Sequence, residues 1–135
     1  MDTISVKVPV TVKAKLTEKL KKSILEGLES NLQQVDLELQ QIDIQEKRVI
    51  AEQGQGDLQR IGVIRQQFGG ERQKRLEYKE QAQAKMEETK KLAIGAEVVQ
   101  GTLDRVTELK VGDNMREIMN VEVLVEDDKI IAIRG

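Results

Sequence analysis

A long helix-forming region with strand-like sequence at both ends leaves few folds open, and the position of its glycines selects among them. Residues 17 to 94 are helix-forming, and "GQGDLQRIGVIRQQFGG" in their middle holds five glycines. The chain could reverse at Gly69–Gly70, giving arms of about 52 and 24 residues, or at Gly54–Gln55–Gly56, giving about 37 and 38. At 1.5 Å rise per residue, the unequal arms would leave the flanking strands roughly 40 Å apart. A lone strand has nothing to pair with. Equal arms bring Thr17 and Gly95 together, so the reversal is expected at 54–56, with Asp57 capping the second helix. Gly62, Gly69 and Gly70 then lie inside that helix, where each costs about 1 kcal/mol relative to Ala, which weakens the distal third of that arm and leaves its angle at Gly69 open.

The period of the apolar residues changes along the chain. Ile4, Val6, Val8, Val10 and Val12 alternate with polar residues and predict a strand with one buried face. Pro9 has no amide hydrogen, which predicts an edge strand or pairing that begins after it. Thr17 is the expected cap of the first helix. Leu25, Leu28, Leu32, Val35, Leu39 and Ile42 then follow in steps of three and four, a heptad seam that Glu46 interrupts and Val49 resumes. The second helix has a poorer seam, expected along Ile61, Ile64, Phe68, Glu71, Arg75, Tyr78, Ala82, Lys85, Thr89 and Leu92. Gly95 is its expected stop.

The last forty residues predict a strand around Gly101, a turn at "VGDN", a short helix capped by Asp113, and a hairpin formed by "VEVLV", "EDD" and "KIIAI". The expected fold is α+β. A small β-rich head built from both termini (1–16 and 95–135) carries an inserted, protruding antiparallel coiled-coil hairpin (17–94: helix 17–53, tip 54–56, helix 57–94). With 1% aromatic and 34% charged residues, its core is expected to be thin and aliphatic.

"VTVKAKLTEKLKK", "LAIGAEV", "ELKVGDNM" and "VEVLVEDDKIIAIR" resemble the YlqD family of small bacterial proteins of uncharacterised function. The likeness covers almost the whole chain and is clearest in "KVGD" and "VEDDKIIAIR". It implies no catalytic or ligand residues.

Composition narrows the chemistry. The chain has no cysteine and no histidine, which removes thiolate nucleophiles, zinc–sulfur sites and the usual base near neutral pH. No enzymatic activity and no cofactor or metal are expected. "GQGDLQRIG" lacks the dinucleotide-binding spacing and "GGERQK" lacks a Gly-Lys-Ser/Thr ending. Glu126, Asp127 and Asp128 lack the calcium-loop spacing and are expected to form a solvated turn. Asp104, Glu108 and Asp113 are expected to be exposed charges. No apolar run approaches a membrane span, and the start does not resemble a secretory signal, so a cytoplasmic protein without membrane contact is expected.

Two surfaces stand out. Leu37 and Ile44 fall opposite the heptad seam, and two such residues in successive heptads predict a second contact surface: self-association or a partner helix. Residues 7–22 hold six lysines against one glutamate, a local charge of +5. Lys13, Lys15, Lys19, Lys21 and Lys22 at the base of the hairpin, with Arg60, Arg65, Arg72, Lys74 and Arg75 near its tip, are the candidate contacts in a second reading, a ribosome- or RNA-associated factor. The arm of a seryl-tRNA synthetase offers a precedent for a coiled coil touching RNA. The overall charge of −2 and the lack of interleaved rings weigh against it. A third reading, a prefoldin-like holdase, has the wrong connectivity, since prefoldin subunits place their hairpins between the helices. The leading expectation is a non-enzymatic interaction or scaffolding module.

Overall fold

The structure is a computed structural model that describes all residues, 1–135. The element order is β1 (Thr3–Lys15), α1 (Glu18–Gln53), α2 (Leu58–Lys91), β2 (Glu97–Lys110), α3 (Met115–Met119), β3 (Glu122–Glu126) and β4 (Lys129–Arg134). The protein is α+β. One unit combines Met1–Lys22 with Leu92–Gly135, and the other is Ser23–Lys91.

In the first unit the strands form one sheet in the order β2-β1-β3-β4. β1 pairs antiparallel with β2 along its whole length, from Thr3↔Lys110 to Lys15↔Glu97. The register steps past Gln100, the extra residue of a bulge beside Gly101. On its other side β1 pairs in parallel with β3, but only from Thr11 to Ala14. Pro9 explains the limit. The Thr11 N–H donates to Val121 O at 3.3 Å on the β3 side, and by alternation the position of Pro9 faces the same way with no hydrogen to give. β1 is therefore an edge as far as Pro9 and an inner strand beyond it.

Val8, Val10, Ala14 and Leu16 are buried and Val12 is half-buried, so the period of two holds through the strand. Ile4 departs from the expected buried face and is 54% exposed, because β1 outruns β3 there. α3 lies against β1, where the Arg105 guanidinium, opposite Val8, donates to Ile118 O at 3.1 Å.

Caps fall where short polar side chains meet free amides. Thr17 Oγ1 accepts from Leu20 N–H at 3.1 Å, and its own hydroxyl donates to Asp127 Oδ1 at 2.9 Å. Asp57 Oδ1 accepts from the Gln59 and Arg60 amides, both at 3.1 Å. The short helix α3 is capped by Asn114, not by Asp113 as expected. Asp113 is already engaged, since its carboxylate accepts from Lys110 N–H at 2.8 Å and closes the preceding turn.

The second unit is the helical hairpin. α1 ends on Gly54, whose N–H donates to Ile50 O at 2.9 Å, and Gly54 to Asp57 form a turn closed by Asp57 N–H to Gly54 O at 3.0 Å. A Cβ on Gly54 would lie 2.7 Å from Ile61 Cγ1 and 2.8 Å from Ile50 O, and Gly56 has φ +72°. Only glycine fits both demands. Past the turn, α2 runs without a break through Gly62, Gly69 and Gly70.

The buried residues Val35, Ile42, Ile64, Ala82 and Thr89 form the seam between the helices. On α1 it follows the expected heptad. On α2 the expected track is corrected after Phe68. Glu71, Tyr78 and Lys85 are exposed, while Arg72, Lys79 and Met86 are half-buried in their place. Charge pairing accounts for the shift. Arg72 meets Asp43 and Glu46, Arg75 meets Glu38, and Lys79 meets Asp36 at 2.8 Å. Turning α2 to present Glu71 instead would set it among those acids.

Candidate interaction surface

The apolar stripe of α1 faces α2, and its acids near the seam are drawn the same way by Arg72, Arg75 and Lys79. The side of α1 opposite the seam is left without charge over most of two heptads. There Ser30, Gln33, Leu37, Gln40, Gln41 and Ile44 are all exposed. Leu37 is 53% and Ile44 58% exposed, and seven residues apart they share one line along the helix. Charge depletion around large aliphatic side chains marks the core of a protein contact more reliably than hydrophobicity alone.

The chain also buries little. Its accessible surface is 10094 Å², against roughly 7,100 Å² for a folded monomer of this mass by the usual scaling.

The basic candidates are largely engaged within the chain. Arg72 donates to Asp43 Oδ1 at 2.9 Å and to Glu46. The hydrogen bonds it donates to Glu46 and then Asp43 push its pKa above the ordinary value for arginine. Arg75 is raised too, chiefly by its bond to Glu71. Lys74 lies 3.9 Å from Glu71, Arg60 donates to Gln53 at 3.2 Å, and Arg65 is exposed. In the other unit, Lys13 pairs with Glu122 at 2.9 Å and Lys21 donates to Leu92 O at 2.9 Å. Lys22 also has a partner within the chain. Lys15 is half-buried and Lys19 exposed.

The YlqD protein family matches residues 4–134. The chain belongs to the YlqD family. Among solved structures, a crystal structure of a protein of unknown function from Synechococcus sp. WH 8102 superposes with a TM-score of 0.86 at 27% identity, covering 98% of this chain and 95% of that one. Among curated proteins nothing matches.

In this YlqD chain the acidic groups do not converge. Asp127 and Asp128, with φ of 45° and 70°, form the tight turn between β3 and β4, and Asp127 is held by Thr17. Asp104 and Glu108 stand opposite Pro9 and Ser5, four residues apart on β2, and Asp113 serves its own turn. No helix is long and apolar enough to cross a membrane.

One feature of this YlqD hairpin carries no signal in the periodicity. The slip of the α2 seam opens a shallow groove of about 410 Å³ between the helices, lined by Gln34, Val35, Glu38, Arg75 and Tyr78. Tyr78 lies at its rim because Lys79 has taken the inward position.

Proposed function

We propose that the protein is a non-enzymatic protein-interaction module that docks another helix on the outer face of α1. The observation that carries this reading is the exposed pair Leu37 and Ile44 within a surface whose neighbouring charges are turned toward α2. A face of this kind fits an amphipathic partner helix laid along it, read by anchors at helical spacing. The RNA reading draws less support, because Arg72 and Arg75 are neutralised by carboxylates and Lys13 by Glu122.

Affinity capture tests it, comparing the wild type with the Leu37→Glu, Ile44→Glu double variant in the presence and absence of nuclease. Both sites are exposed, so the variant is expected to fold. Partner protein, including a differently tagged copy of the same chain, is expected on the wild type, resistant to nuclease and lost from the variant. Retention that disappears with nuclease, or that is equal on the variant, overturns the reading.

A further inference from the structure

The outer face of α1 has an internal symmetry. Glu26, Ser30, Gln33, Leu37, Gln41, Ile44 and Arg48 are all exposed. They follow one another in steps of four, three, four, four, three and four, so the stripe reads the same from either end about Leu37. Reversing the stripe on itself places Leu37 against Leu37, Gln33 against Gln41, Ser30 against Ile44, and Glu26 against Arg48. Every pair is complementary. The large Ile44 meets the small Ser30, two amides meet and can exchange hydrogen bonds, and an acid meets a base at both ends.

We infer that the occupant of this face is a second copy of the chain, docked antiparallel on α1 with the two-fold axis passing at Leu37. This rests on the reading of the face as a docking surface and names its partner. A two-fold contact must be self-complementary, with residue i on j and j on i, and the charges satisfy that condition in this direction. Parallel docking in register would set Glu26 on Glu26 and Arg48 on Arg48. Moving the axis one heptad along to Ile44 would leave Glu26 with no base opposite. Arg48 has no ion pair within its own chain, so the contact gives it its carboxylate. Glu26 keeps a partner in its own chain as well, and a carboxylate has room for two donors. The charge-free Gln33, Leu37 and Gln41 fall at the centre, and the ion pairs fall at the rim.

Sedimentation equilibrium of the purified full chain reads the pairing directly. The wild type is expected as a dimer. Glu26→Arg and Arg48→Glu each place like charges at both ends and are expected to weaken association at least tenfold, with helicity unchanged. An equimolar mixture of the two single variants restores opposite charges at both ends and is expected to return to dimer. Because the chain has no cysteine, a mixture of Ser30→Cys and Ile44→Cys reports the register independently, by forming a disulfide-linked heterodimer on oxidation. A monomeric wild type at tens of micromolar, or no recovery on mixing, overturns the antiparallel dimer. If the wild type is monomeric while Leu37→Glu, Ile44→Glu still abolishes capture of a different protein, the dimer alone falls. If that variant changes neither sedimentation nor capture, both readings fall.

Discussion

Arg134 on β4 reaches Glu97 on β2, so the two outermost strands of the sheet are joined through their side chains. The same guanidinium holds Glu122 at 2.8 Å, and Glu122 in turn takes Lys13 of β1 at 2.9 Å. One chain of charges thus touches all four strands. It closes over the end of β1 that has a neighbour on each side, Thr11 to Ala14, and four strands contribute little apolar interior of their own.

The first prediction concerns acid. The hydrogen bond from Arg134, more than any other effect, holds the Glu97 carboxyl below the usual carboxylate range. A group whose folded pKa is depressed contributes stability above its unfolded pKa, about 4.3 for glutamate, and loses it as pH falls through the folded value. Glu97→Gln should therefore lower the melting temperature at pH 7. The gap to wild type should narrow as pH drops below about 4. Thermal melts of both proteins from pH 7 to pH 2.5 check this, and a gap independent of pH would contradict it.

Two glycine substitutions should act in opposite directions. At Gly54 an added methyl meets Ile61 and the Ile50 carbonyl. The carbonyl is backbone and cannot move aside, so Gly54→Ala should cost about 1–3 kcal/mol. At Gly69 nothing lies within 4 Å of an added Cβ, and Gly69→Ala should stabilise α2 by about 0.5–1 kcal/mol. Urea denaturation of the two single variants measures both signs.

Thr17 is a third test because one hydroxyl serves two elements. It caps α1 and donates to the β3–β4 turn. Thr17→Ala should cost about 1–2 kcal/mol, and Thr17→Ser should recover most of it. If Ala and Ser melt alike, the hydroxyl is not the source of the stability.

Much of this was legible in the residues because it depends on local rules. The period of two in residues 4–12, the heptad of α1, the caps Thr17 and Asp57, and the turn at Gly54–Gly56 each follow from a few neighbouring side chains. Pro9 was half legible. Its missing amide hydrogen predicted either an edge or late pairing, and β1 is an edge before Thr11 and paired on both sides from there. The Asp113 cap was misplaced by one residue because two adjacent side chains competed for neighbouring amides, and the turn claimed the first.

The track of α2 was legible at Ile61, Ile64, Phe68, Arg75, Ala82 and Thr89, which are buried or half-buried as expected, and failed at Glu71, Tyr78 and Lys85, which are exposed. At those three positions the sequence is polar enough that neighbouring faces compete, and the local pattern does not choose between them. The choice rests on Asp36, Asp43 and Glu46 of α1, which draw Arg72 and Lys79 inward beside the expected Arg75.

The amino-acid order by itself determined the succession of elements, the point of reversal, and the placing of Leu37 and Ile44 away from the α1 seam, since each is set by backbone sterics or by periodicity within one segment. Only the tertiary structure decided where the α2 seam shifts after Phe68, where β3 joins β1, and that Glu97 and Arg134, 37 residues apart, share a bond. Those outcomes depend on Coulomb attraction and hydrogen bonding between segments distant in sequence, and no local pattern encodes which partner will be within reach.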